Sequence, residues 1–466
     1  MQDKILRTKN IIQAFTMSET IKLRRGLDLK LEGGLPSDVS ASEVKIKVAA
    51  LIPDDFPGFI PKLCVREGDE IAAGAPLMHD KINEPIVIAS PVTGRVKAVV
   101  RGERRKILRV EVESSDAPAA KAPTFNINPG ADAAAIRNLL MQSGLWAFMR
   151  QRPYDIVPQP DATPVNIFVT AFDSAPLSPS LAEAVRGKEK EITAGLQALT
   201  KLTDGRVYLS VRPGEQFSTP AGVETRIIDG PHPAGNAGIQ AANIAPVNKG
   251  QTIWTLDIVT VARIGGLMLN GHVDWSTEVA LVGSDVKTPK LVKTIIGAEI
   301  RPIISGDIAD NGHHCRIIAG NVLTGIKESA DGYLHFPYRQ ITVIPEGDDV
   351  DEFMGWASMS PKKMSVSRSF LSSLIPGKKF APDARLNGGR RAMIMSEQYD
   401  KVMPMDILPE YLIKAILARD IDQMERLGIY EVAPEDFALC ELVDPSKLEL
   451  QKTVREGLDY LRKELQ

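Results

Sequence analysis

The chain has 466 residues, more than one hydrophobic core organises, so about three domains are expected and a single small binding module is excluded. Its 56 basic and 59 acidic side chains leave a net charge of −3, and a hydrophobic share of 44% is ordinary for a globular protein. That balance excludes wholesale disorder and a polybasic nucleic-acid binder, and no nucleic-acid partner is expected. The longest uncharged stretch, residues 231–248, is broken by Pro, Gly and Asn and falls short of the roughly 20 apolar residues a bilayer span needs.

At the front, Lys4, Arg7 and Lys9 precede only a short mixed apolar stretch with no small-residue cleavage pattern, so no signal peptide is expected, and Met17 is the expected native start with residues 1–16 as an extension. Residues 44–112 hold four short β-type runs (44–50, 85–89, 94–100 and 107–112) punctuated by Gly, Pro and Asp, and read as an all-β unit. Gly68, Gly74 and Gly94 are the expected positive-φ turn positions. An Ala/Pro-rich linker follows.

Ile136, Leu139 and Leu140 then predict a helix over 131–142 stopped by Gly144. A strand at 165–171, a helix at 183–202 and a strand at 206–211 predict a parallel α/β layer. Over 253–344 the pattern predicts short strands around turns at Gly265–Gly266 and Asn270–Gly271, with one helix at 289–296. Residues 404–466 read as helical, because Ile413, Ile416, Leu417, Ile421, Met424 and Leu427, and later Val454, Leu458 and Leu461, recur at three-to-four spacing. Arg455, Glu456 and Lys463 are expected on its solvated face.

The turn at 65–74 and the one at 90–96 resemble the paired hairpins of biotinyl/lipoyl barrel-sandwich domains, in which a lysine between them carries the cofactor. Lys81 lies in that interval, slightly too far upstream, so an unmodified barrel is expected, and a carrier enzyme modified at Lys81 is the alternative function. Ser143-Gly144-Leu145 resembles the helix end that precedes the glycine-rich flavin loop in the flavoprotein of complex I and in its relatives of the Rnf type. Here Trp146, Phe148 and Met149 stand where glycines would let backbone approach a phosphate, so a filled, cofactor-free site is expected.

Segments 143–153, 228–235, 316–325, 365–371 and 402–406 occur in the order found in the A-subunit family of the sodium-translocating NADH:quinone oxidoreductase, and the chain resembles that family from near Lys22 to its end. The resemblance implies a multidomain α/β and α+β protein. Residues 17–115 would form a barrel-sandwich (biotinyl/lipoyl-like) β domain, 116–130 a linker and 131–252 a degenerate Rossmann-like α/β domain. Residues 253–347 would form a small β-grasp-like (SLBB) α+β domain, and 348–466 a helical C-terminal domain. Segment 435–450 resembles a ferredoxin-like remnant in which Cys440 alone survives of four cluster ligands.

The implied role is a peripheral component on the cytoplasmic side of the bacterial inner membrane, partnered by five other subunits. That complex couples NADH oxidation and ubiquinone reduction to Na⁺ export, using FAD, FMN and iron–sulfur centres held elsewhere; no catalytic, cofactor or metal residue is expected on this chain. Three cysteines without a CxxC pair favour a reducing compartment.

The loop Gly230, Pro231, His232, Pro233, Gly235, Asn236 and Gly238 is the candidate for partner docking or quinone access, with a hydrogen-bonded structural His232 as the plain alternative. His313-His314-Cys315 alternates faces along a strand and is not expected to chelate. Asn387-Gly388-Gly389-Arg390-Arg391 is a candidate for binding phosphate or anionic headgroups, with a mobile basic loop as the plain and expected alternative. With a net charge of −3, docking through protein partners rather than lipid is expected.

Overall fold

The structure is a computed structural model that describes residues 20–115, 122–126, 130–348, 363–366, 370–375 and 377–465. The proposed extension 1–16, much of the linker 116–130, and parts of 348–376, including Ser367, Arg368 and Ser369, lie outside the described residues.

The first unit is a sandwich of two small sheets. One orders the strands Val48–Leu51, Ile107–Ser114, Gly94–Arg101 and Glu70–Ile71, and the other Pro61–Leu63, Pro76–Asp80 and Val87–Ala89. Gly68 and Gly74 take positive φ as expected (91° and 86°). Gly94 does not, and its glycine is needed for another reason: a Cβ there would stand 1.8 Å from the Glu113 carbonyl across the paired strand.

The central unit is a six-stranded sheet in the order Thr20–Lys22, Val223–Asp229, Arg206–Val211, Asn166–Thr170, Ile253–Asp257, Arg150–Arg152. Every pairing is parallel except the last. Both faces are covered, and strand alternation sorts the side chains. Ile167, Val169, Val207, Leu209 and Leu256 enter one core with the helices Ala133–Ser143, Glu189–Thr200 and Ile258–Asn270. Phe168, Tyr208 and Ile253 enter a second core with the helix Ala237–Ile244 and the C-terminal helices.

Three expectations are corrected here. The α/β unit does not end at residue 252, because Ile253–Asp257 pairs along the whole of Asn166–Thr170 and the next helix packs on the same sheet. Gly265 and Gly266 are not a turn; they lie inside the helix Ile258–Asn270, and only Gly271 (φ 71°) ends it. The predicted helix at 183–202 is two, Leu181–Ala184 and Glu189–Thr200, with Gly187 (φ 78°) between them.

Of the two glycines in Ile258–Asn270, Gly265 serves helix contact. A Cβ on Gly265 would lie 1.7 Å from the Glu191 carbonyl, and one on Gly195 would lie 2.1 Å from the Val261 carbonyl, so the two helices cross at backbone distance. Gly266 points into open space, its nearest neighbour being the Glu191 side chain at 4.0 Å.

The third unit is a mixed sheet ordering Ile326–Glu328, Cys315–Ala319, Gln340–Pro345, Ser276–Val282, Lys290–Ile295 and Ser42–Glu43. Its core is Val279, Leu281, Val292, Ile317, Ile341 and Val343. Lys290–Ile295 is a strand where a helix was predicted; the short apolar run fits either period, and antiparallel pairing with Ser276–Val282 decides it. Thr20–Lys22 and Ser42–Glu43 pair into the second and third sheets, so the first part of the segment 17–115 also joins the other two units.

At the C-terminus the helices Pro409–Ala418, Ile421–Arg426, Ala438–Val443 and Leu450–Leu465 pack together through Leu412, Ile416, Phe437, Leu458 and Leu461. Helix begins only at Pro409 in the expected helical domain 348–466, apart from two short 3-10 turns before it among the described residues. Arg455, expected in solvent, instead donates to the carbonyl of Tyr154 (3.0 Å) and to the Asp155 carboxylate (3.1 Å).

The crossing yields an opposed pair of expectations. Gly265→Ala should lower unfolding free energy by about 1–3 kcal/mol, because the helices must separate. Gly266→Ala should raise it by about 0.5–1 kcal/mol through helix propensity. Denaturant midpoints of the two variants check both signs at once.

Candidate functional site

In the central sheet the chain runs from Asn166–Thr170 to Arg206–Val211 and Val223–Asp229 on one side, then returns to Ile253–Asp257 on the other. The order therefore reverses between Asn166–Thr170 and Ile253–Asp257, and a crevice is expected beyond the carboxyl ends of those two strands. A cleft of about 220 Å³ lies there. It is smaller than the roughly 300–1,000 Å³ of pockets that enclose drug-sized ligands, and has room for a single ring system rather than a dinucleotide.

Each wall comes from a strand end. Asp257 caps the helix that follows it by accepting from the Thr260 amide (2.7 Å), and its other oxygen accepts from Arg339 (2.9 Å). Burial works against its charge, but Arg339 and the Thr260 amide outweigh burial and hold this carboxyl below its usual range. Asp173, after Asn166–Thr170, is pushed the other way by burial, although the Ala175 amide donates to it at 2.7 Å. Two cleft carboxyls with opposite shifts give one group that stays ionised and one that holds its proton more readily.

The expected loop 230–238 forms the inner wall. His232 is 3% exposed. Its Nδ1 lies 3.0 Å from the Ser174 hydroxyl, its backbone amide donates to Asp28 (2.9 Å), and its carbonyl accepts from the Leu27 amide (2.8 Å). Nε2 has no partner. Burial lowers the imidazole to about 4, so it is neutral at physiological pH. Pro233, Gly235 and Gly238 are buried as well, Pro231 and Asn236 are half-buried, and Gly230 is exposed, so most of the loop faces the cleft and the interior. Gly235 lets the Ser174 amide come within 2.5 Å of where a Cβ would be, and Gly238 leaves room for the Arg152 guanidinium, which a Cβ would meet at 2.0 Å.

Aromatic rings make the floor. Phe336 packs at a tilt against Phe148 (centroids 4.2 Å, planes 34° apart) and stacks on Phe56 (5.3 Å), and Phe148 meets Trp275 edge-on at 6.1 Å. The sandwich, the central unit and the mixed-sheet unit each contribute to this cluster. Trp146, fully buried, donates its indole N–H to the Pro158 carbonyl (2.7 Å), and Leu145 and Met149 are also fully buried. Ser143 is buried with its hydroxyl on the Leu140 carbonyl, and Gly144 (φ 84°) caps the helix. The segment after Gly144 is a 3-10 turn, Trp146–Phe148, whose side chains fill the space inside it.

Phe336 is held by its neighbour. His335 Nδ1 lies 2.6 Å from Asp55 and Nε2 3.0 Å from Glu328, and the Phe336 amide donates to the other Asp55 oxygen (2.9 Å). Both ring nitrogens face carboxylates, as the imidazolium requires. Burial opposes that charge, and the two carboxylates overcome it, raising His335 to about 9. Sequence reasoning missed this residue, since Asp55 is 280 positions away.

The remaining candidates lie apart from the cleft. Lys81 is exposed on the tip between Pro76–Asp80 and Val87–Ala89, where Asp80 spends its carboxylate on the amides of Ile60, Ile82 and Asn83. His313 pairs with Asp285 (3.0 Å) and His314 with Asp348 (3.1 Å), on separate partners. Among the described residues no cluster of three or more His, Cys, Asp or Glu side chains is arranged to hold a metal. Cys440 is buried in Ala438–Val443, and burial pushes its thiol well up.

Fold and cleft together define a multidomain α/β protein whose crevice sits at a switch point of the central sheet and is closed by the mixed-sheet unit and by Glu435 of the C-terminal segment. Three family models match it in order: the NqrA N-terminal barrel-sandwich hybrid domain over residues 21–115, the NqrA second alpha/beta domain over 131–273, and the NQRA C-terminal domain over 278–330. The chain is 36% identical to the NqrA component of the Na(+)-translocating NADH-quinone reductase of Rhodopirellula baltica, over 96% of this chain and 99% of that one. It is 34% identical to its counterpart in Neisseria meningitidis and 36% identical to that of Vibrio anguillarum, each over 95% of this chain and all of theirs. The chain belongs to the NqrA family of Na(+)-translocating NADH-quinone reductase subunits. The carrier alternative built on Lys81 is not favoured by any of these likenesses.

The His335 contact carries a pH dependence. A histidine raised from 6.5 to about 9 on folding contributes stability that is complete below pH 6.5 and is lost as pH rises through 9. The total is at most about 3 kcal/mol. His335→Gln should flatten the fall in melting temperature between pH 6.5 and 9, and an unchanged slope would show that the two carboxylates do not hold a proton on this ring.

Proposed function

We propose that this chain is a peripheral subunit of the respiratory Na⁺-translocating NADH:ubiquinone reductase, and that within it the chain supports electron transfer rather than carrying it. Its similarity to NqrA proteins along nearly their whole length is the observation that carries the assignment. In this reading NADH oxidation, the flavins FAD and FMN, and the iron–sulfur centre belong to the five partner subunits. The chain lies on the cytoplasmic face of the inner membrane; among its described residues no helix is long and apolar enough to cross a bilayer. The degenerate Rossmann-like, β-grasp-like and cluster-free ferredoxin-like labels belong to the same proposal.

The residues after Gly144 do not fit a flavin phosphate. Such a site needs glycine backbone amides turned outward, whereas Trp146, Phe148 and Met149 are packed into the core. Cys440 has no other cysteine near it in sequence, and a cluster needs four thiolates. The purified chain should therefore show no stoichiometric flavin or iron and no visible absorption band.

The cleft suits a ubiquinone head group. It is ring-sized and floored by Phe148 and Phe336, and the neutral His232 has an unpartnered nitrogen to offer a carbonyl. His232→Ala and Asn236→Ala should each weaken binding of a short-chain ubiquinone to the full chain about tenfold, the loss of one hydrogen bond to a buried polar group. Equilibrium dialysis measures this; wild-type affinity in both variants would remove quinone from the cleft while leaving the chain's place in the complex intact.

A further inference from the structure

The net charge of −3 hides a division. Residues 377–395 contain five Lys or Arg against one Asp, a net +4, so the rest of the chain carries −7. This stretch has no helix or regular strand. It is nevertheless fixed to the body: Phe380 exchanges backbone hydrogen bonds with residues 30 and 32 (2.8 Å each), the Ala384 amide donates to the Pro345 carbonyl (3.0 Å), and the Arg391 amide donates to the Ser446 carbonyl (2.9 Å). Met393 packs inward against the C-terminal core.

What faces outward is of two kinds. Lys379, Arg390 and Arg391 are exposed, and so are Leu386 (56%), Ile394 (51%) and Met395. Ser396 donates to Glu410 (2.9 Å), which sets the end of the ribbon against the first turn of Pro409–Ala418, where Leu408 and Tyr411 are exposed too. Arg390 pairs with Glu449 at 2.7 Å, but both side chains are at least half exposed, so the pair is weak and exchangeable.

We propose that this ribbon is a lipid-contact surface, in which Lys379, Arg390 and Arg391 meet anionic headgroups while Leu386, Ile394 and Met395 enter the headgroup–acyl boundary. The pattern is that of interfacial binding: alkyl side chains alternate with cations along one exposed segment. Protein–protein interface cores are enriched in aromatics, Met and Arg and depleted of Lys. Arg390, Arg391 and Met395 would suit one, but the ribbon exposes Lys379 and its one aromatic, Phe380, is half-buried, which favours lipid. Its charge complements an anionic leaflet, and the opposite charge of the body turns the ribbon toward it. The proposal departs from the expectation of docking through protein partners, drawn from the total charge alone. The inference stands apart from the quinone reading, since the two surfaces share no residue.

Co-sedimentation of the full chain with vesicles tests it. Vesicles with about 30% phosphatidylglycerol in phosphatidylcholine should retain the chain at low salt. Retention should drop about tenfold or more on pure phosphatidylcholine or at high salt, with each cation near the surface worth roughly a fivefold change in partition. Lys379→Ala with Arg391→Ala should reproduce the loss, as should Leu386→Asp with Ile394→Asp, at unchanged melting temperature. If either pair unfolds the chain, the salt and lipid series on the wild type still decides. Equal retention on neutral and anionic vesicles overturns the proposal. So does retention only by membranes that contain the partner subunits, because the ribbon would then be a protein contact.

Discussion

One buried ion pair fixes how the layers of this molecule fit together. Arg152, at the antiparallel edge of the central sheet, donates to Asp436 at 2.6 Å and to the Glu431 carbonyl at 2.5 Å. Both charged side chains are out of solvent. Burial works against the arginine's charge, yet Asp436 and Glu435 together hold it above its ordinary value. A buried pair of this kind adds little net stability, but losing one partner strands the other, so it specifies geometry strongly. Here it ties the sheet edge to the C-terminal helices, with Gly238 and the adjoining wall of the cleft pressed against the guanidinium.

The cleft inherits its shape from that tie and from a second one. On one side Arg152 fixes the segment that carries Glu435; on the other His335 anchors Phe336 between Asp55 and Glu328. Both join residues roughly 280 positions apart, and both are charged groups whose burial is offset by carboxylates and a carbonyl that face the His335 ring nitrogens and the two terminal nitrogens of Arg152, while Arg152 Nε is left without a partner. A pocket framed in this way is held by inter-domain contacts rather than by one domain's loops. Its size and polarity are therefore properties of the assembled chain.

Local pattern carried the sequence reading as far as local physics reaches. The strands at 94–100, 107–112 and 206–211, and the helix ended by Gly144, were legible because alternation, three-to-four spacing and an αL glycine are written within about ten residues. The Gly265–Gly266 pair was misread because a helix-contact glycine and a turn glycine are the same letter; only the neighbouring helix, with Glu191 against Gly265, distinguishes them. Residues 289–296 failed for a related reason, since a short apolar run acquires its period from its pairing partner. In the site, His232 stood out by its prolines and glycines, while Asp257, Arg339 and His335 were invisible: each is defined by a partner far along the chain.

The threading of residues 20–43 has a consequence for synthesis. Thr20–Lys22 waits for Val223–Asp229 before it has a strand to join, and Ser42–Glu43 waits for Lys290–Ile295. As the chain emerges from the ribosome, at least some 200 residues separate the first strand from its partner, so the opening segment stays unpaired while the sandwich behind it closes. The units thus mature out of order, residues 20–43 being made before, and paired after, the strands of the sandwich. Contacts of such long sequence separation slow assembly and leave strand edges open meanwhile. In this molecule residues 20–43 act as a late fastener: they stitch the second sheet and then the third to the sandwich that follows them in the chain.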